Sequence, residues 1–104
     1  MPTAYEIAQR PGGKHHGMLA EARAHLGVHQ LRSGIAKMTR RIHEHEGWIA
    51  DPASKPGVQL HPAEDVERWR NQKWPADIER LKAQRAIYGV VLKEKEDGSV
   101  PGNS

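Results

Sequence analysis

Residues 30–52 read QLRSGIAKMTRRIHEHEGWIADP, and their apolar members Leu31, Ile35, Met38, Ile42 and Ile49 recur at steps of four, three, four and seven. That is the spacing of one face of an α-helix. His45 stands where the stripe would otherwise continue, while Lys37, Arg40, Arg41, His43, Glu44 and Glu46 fall off it. The stretch is predicted to be an amphipathic helix of about five turns, with a histidine on its buried side and a basic cluster on its wet side.

The remaining elements are arranged around this helix. A short helical piece with Tyr5 and Ile7 ends at Pro11-Gly12-Gly13, because proline cannot continue a helix and paired glycines turn the chain. A second helix is expected over residues 18–26, carrying Met18, Leu19, Ala22 and Leu26 on one side and stopping at Gly27. The long helix then starts near Val28 or His29 and ends at Asp51-Pro52. Gly34 and Gly47 lie inside it; each costs about 1 kcal/mol against alanine, and such a glycine suggests a closely packed neighbour.

Residues 53–59 read as a linker. Pro62 with Glu64 and Asp65 marks a helix start, with Val66 and Trp69 as its apolar side. Asn71-Gln72-Lys73 is expected to break that helix, and Trp74-Pro75-Ala76-Asp77 to open the last one, which carries Ile78, Leu81, Ile87, Tyr88, Val91 and Leu92. Residues 93–97 read as a charged fray and 98–104 as a disordered tail. No stretch alternates convincingly as a strand. The expected fold is an all-α small helical bundle, with two long antiparallel helices and two shorter packing helices. Its expected organisation is an N-terminal segment 1–10, a helical domain 11–92 and a C-terminal tail 93–104.

Composition narrows the function classes. With 104 residues one domain is expected, and the absence of cysteine excludes disulfides and thiolate metal sites. No apolar run approaches the roughly 20 residues of a membrane span, and the start lacks the pattern of a signal peptide. A net charge of +3 permits nucleic-acid binding without requiring it.

The seven histidines are the main chemical signal. His25 and His29 are four apart, but Gly27 between them is expected to end the helix and spoil chelation. His43 and His45, two apart on a helix, point roughly 200° from each other and cannot share an ion. His15-His16 could converge with His45 on a metal only if their loop folded over the long helix, so no metal site or other cofactor is expected. Cleavage of a phosphodiester needs a base, an acid and a cation for the charge on the phosphorane. Histidine fills either proton role near neutrality. His15, His16 and His45 are the candidate catalytic residues, with Lys14, Arg40 and Arg41 for the phosphate. The opposing reading makes His45 a core histidine bonded to a backbone carbonyl and His15-His16 a surface loop. Trp48, Trp69 and Trp74 read first as caps on the core and second as base-stacking rings. Asp77 reads first as a residue of the helix N-terminus and second as a catalytic acid.

Three blocks carry a family resemblance. They are Gly12, Gly13, Lys14 and His15 or His16; then Gln30, Leu31, Ile35, Ile42, Glu44, His45, Ile49, Asp51 and Pro52; then Lys73, Trp74, Pro75, Asp77, Ile78, Arg80, Gln84 and Gly89. Over residues 11–92 the chain resembles C-terminal domains of bacterial polymorphic toxins, the variable tips of RHS-repeat and haemagglutinin-type secreted proteins. It differs in its many other histidines and a divergent 53–60 linker, and, since it starts with methionine, it is expected to stand without a delivery region.

The resemblance implies a small helical effector, delivered into a rival cell and neutralised by a cognate immunity protein. The expected function is a toxin-like effector acting on nucleic acid, RNA rather than DNA, without metal. Trp74, Asp77 and Gln84 are expected to support the site. The alternative is a non-enzymatic helical module that binds a protein partner or nucleic acid, phage or mobile-element encoded. The expected location is the cytoplasm, or a target cell reached through a dedicated delivery system.

Overall fold

The computed structural model describes residues 1–98, and the chain is helical nearly throughout. The order is α1 (Ala4–Gln9), α2 (His16–His25), α3 (Val28–Ala50), two 3-10 turns (Pro52–Ser54 and Val58–Leu60), α4 (Ala63–Arg68), a π turn (Trp69–Lys73) and α5 (Trp74–Asp97). No strand forms among the described residues. The all-α expectation holds, and no helix among the described residues is long and apolar enough to cross a membrane.

Helices α3 and α5 lie antiparallel. Thr39 receives a hydrogen bond from Arg85, Arg32 pairs with Glu96, and His45 faces Asp77, so partners on α5 descend as α3 ascends. Leu31, Ile87 and Val91 meet Ala8, Leu19 and Ala22 at one end of the pair. Ile42, Ile78 and Leu81 pack with Met38 and Ile49 toward the other end. Truncating a buried leucine such as Leu31 to alanine removes about 2–5 kcal/mol, because the cavity refills only in part.

The two rods approach closely at Gly34. A Cβ there would stand 2.8 Å from the Tyr88 ring, which supplies the neighbour its helix-interior position suggested. Gly47 has no such neighbour, since a Cβ would meet nothing within 4 Å.

At the N-terminal end, α1 is capped by Thr3 and Glu6 and packs a fully buried Ala8 into the core, with Ala4 and Tyr5 against the same cluster. Residues 93–97 complete α5 rather than fray. Glu94 and Arg23 both bond the Tyr5 hydroxyl, and Lys95 Nζ donates to the carbonyls of Arg23 and Leu26. These bonds satisfy the open end of α2 and tie α1 and α2 to α5. The tail expected over residues 98–104 lies outside the described residues beyond Gly98, which caps α5 at φ 68°.

The expected break at Asn71-Gln72-Lys73 does not occur. The backbone stays right-handed helical through Arg68, Trp69, Lys73 and Trp74. Pro75 has no N–H and would clash with the carbonyl four residues back in a regular helix. The chain widens by one residue instead, and the Trp74 N–H bonds the Trp69 carbonyl. The wider turn has a second effect. Five residues of α-helix would turn Trp69 about 140° from Trp74; the extra residue offsets much of that rotation, and the two rings stand 6.4 Å apart. Arg70, carried on the same turn, donates from Nε to the Ile49 carbonyl at 2.8 Å and caps the end of α3.

Candidate functional site

His45 is the one buried polar or charged side chain among the described residues, at 6% exposure. It follows Ile42 by three positions and precedes Ile49 by four, which puts it on the apolar seam. Both ring nitrogens are engaged. Nδ1 lies 2.7 Å from the Arg41 carbonyl, one helical turn back, and Nε2 lies 3.5 Å from Asp77 Oδ2 on α5. A neutral imidazole that donates from Nδ1 carries its lone pair on Nε2, whereas the imidazolium donates to Asp77. Trp48 closes over the ring with centroids 4.5 Å apart.

Asp77 has a second partner, since Arg80 Nη1 lies 3.5 Å from its Oδ1. Because the helix is continuous from α4, Asp77 does not sit at a free helix start, and its role is this pairing. Arg80 is about half exposed, so the pair is open to solvent and loosely held.

His15 lies in the turn between α1 and α2. It is the N-cap of α2 and the one non-glycine residue with positive φ among the described residues, at φ 66°. Its position follows from Gly13, where a Cβ would stand 2.0 Å from the Ile7 carbonyl oxygen; only glycine admits so tight a reversal after α1. The His15 Nε2 atom is buried and has no hydrogen-bond partner. Burial, then the charges of Lys14 and Arg80, hold its pKa below the usual histidine value. Arg80 pairs with the carboxylate that faces His45, and its charge is the smallest of the three causes that lower the His15 pKa.

No family model matches the chain, and no curated protein or solved structure matches it.

The other expected site residues separate. His16 leads α2 and directs Nδ1 at the Ala8 carbonyl at 2.8 Å, which fixes its ring and leaves Nε2 without a protein partner. Lys14 is exposed and acts on His15 through its charge alone. Arg40 and Arg41 stay on the wet side of α3, and their side chains make no ion pair among the described residues. The cation paired with the cluster's carboxylate is Arg80, which sequence reasoning placed only within the resemblance. Its three-residue offset from Asp77 was the available signal, since such residues are neighbours on a helix. Trp74 is buried, with its ring 5.8 Å from Trp48. Gln84 is half-buried on α5 and forms no side-chain hydrogen bond among the described residues. His25 ends α2 and His29 lies in the first turn of α3, so the two do not share a helix. His43 is exposed while His45 is buried, as their two-residue offset requires.

Proposed function

We propose that this chain is a toxin-like effector domain that cleaves RNA without a metal ion, with His15 accepting a proton and Arg80 holding the phosphate. The observation that carries the reading is the run of pairs from buried His45 through Asp77 to the half-exposed Arg80, whose charge also acts on His15. RNA is favoured because the ribose 2′-hydroxyl supplies an internal nucleophile. Its proton passes to His15, the new bond forms between that oxygen and phosphorus, and the 5′-oxygen leaves with a proton. A histidine held below its usual pKa is neutral at pH 7 and suits the accepting role. His16 suits the donating one, since its Nδ1 is committed to Ala8 and its Nε2 is not. His45, sealed under Trp48, acts through Asp77 as a positioning residue and does not touch substrate.

The effector role rests on the resemblance, which also supplies the expectation of an immunity partner. The burial of His45 favours a second reading, a non-enzymatic helical module in which this histidine only ties α3 to α5. One experiment separates them. The purified chain is incubated with RNA in excess chelator, beside His15→Asn, which tolerates the left-handed backbone, and Arg80→Ala. Cleavage to 2′,3′-cyclic ends, reduced on the order of 100-fold or more in both variants, is the expected result. Intact RNA, with equal host growth on expressing either form, overturns the enzymatic reading and leaves the module.

A further inference from the structure

Aromatic rings continue outward from His45. Trp48 lies 4.5 Å from it, Trp74 5.8 Å from Trp48, Trp69 6.4 Å from Trp74, and His61 meets Trp69 edge-on at 4.8 Å. Trp74 alone is buried, at 2% exposure, and it anchors the end of the core. Trp48 and Trp69 are half-buried. The Lys55 ammonium, carried on the loop between the two 3-10 turns, stands 5.0 Å over the Trp48 ring. Filling the core requires Trp74; it does not require two more indoles in line with the histidine–aspartate pair, nor a lysine on one of them.

We propose that Trp48 and Trp69 form a base-stacking subsite for single-stranded nucleic acid, with Lys55 as its phosphate-binding cation. The subsite deepens the nucleic-acid reading above, because it names what would bind the nucleotides flanking the scissile phosphate. Every base has a π-face, so indoles offer a platform that tolerates any sequence. A duplex keeps those faces stacked inside and cannot use the platform. Lys55 over Trp48 occupies a position that a base would take. When a base slides onto the indole, the ammonium swings on its flexible stem to the adjoining phosphate, exchanging a cation–π contact for an ion pair. The π turn sets Trp69 beside Trp74, whose ring also neighbours Trp48, since a regular helix would send Trp69 to another side.

Tryptophan emission of the full chain, titrated at low salt with oligouridylate, oligothymidylate and a mixed-sequence duplex, tests this. Single strands should quench the emission, with affinity falling as salt rises, and the duplex should bind much more weakly. Comparing the two homopolymers separates RNA from DNA preference. Trp69→Leu and Lys55→Met should each weaken binding by about tenfold, while Trp69→Phe retains most of it. Lys55→Met leaves the core untouched, so it remains informative even if Trp69→Leu misfolds. Absence of quenching, equal affinity for duplex, or unchanged affinity in both Lys55→Met and a folded Trp69→Leu overturns the subsite. Quenching without any RNA cleavage supports the subsite and removes the cleavage reading. Cleavage whose KM is unmoved by both variants removes the subsite and leaves cleavage intact.

Discussion

Asp77 Oδ2 lies 3.5 Å from His45 Nε2 across the seam between α3 and α5, while the other oxygen of the same carboxylate faces Arg80. One side chain therefore joins the buried histidine to the exposed cation. Asp77→Ala should leave Nε2 buried without a partner and cost about 1–3 kcal/mol. Asp77→Asn, which keeps an amide oxygen or N–H near the ring, should cost less. Urea denaturation of both variants checks the order, and an unchanged midpoint in Asp77→Ala would show that the two groups are not coupled.

His15 sits in the left-handed region with an unpartnered, buried Nε2. His15→Gly should relieve the backbone strain and stabilise the chain by about 1 kcal/mol. At this chain length that raises Tm by roughly 4–8 °C. The same variant should cleave no RNA. A gain in stability with a loss of activity is expected of a residue retained for chemistry. A drop in Tm would mean that the imidazole contributes packing that outweighs the strain.

Histidine 15 also imposes a pH dependence. Its folded pKa is lowered, chiefly by burial, so its contribution to stability is present above the unfolded value of about 6.5 and is lost as pH falls through the lower folded value. Protons bind the unfolded chain first and pull it open. Comparing thermal melts of the parent chain and His15→Asn between neutral and mildly acid pH should show a shallower decline in the variant. Tyr5 acts at the opposite end of the scale. Burial, then the hydrogen bond with Glu94, raises its pKa, so its contribution is present below about pH 10 and lost as pH rises through the higher folded value. Tyr5→Phe should flatten the alkaline decline.

The two glycines of α3 should respond with opposite signs. Gly47→Ala enters open space and should stabilise by up to about 1 kcal/mol through helix propensity. Gly34→Ala drives a methyl group against the Tyr88 ring and should destabilise by about 1–3 kcal/mol. Chemical denaturation of the pair checks both, and equal shifts in one direction would contradict the close approach of α3 and α5 at Gly34.

The sequence by itself determined the helices and the faces they bury. The steps from Leu31 to Ile49 assign α3 and place His45 on its buried side, because side-chain direction in a helix depends only on position along the chain. The pairing of the two long rods follows from the same periodicity, since each stripe needs an apolar partner. Local rules were less reliable where neighbours decide. Pro75 read as a helix start, but a π turn one residue upstream keeps the rod continuous and brings Trp69 beside Trp74. Residues 93–97 read as a fray because their charges find partners only on α1, α2 and α3. The choice of cation belongs to the tertiary structure as well. Arg40 and Arg41 form the conspicuous basic pair, yet Arg80 pairs with Asp77 and its charge also acts on His15. Periodicity is a property of one segment, whereas an ion pair or a ring contact depends on the distance between two, and packing alone sets that distance.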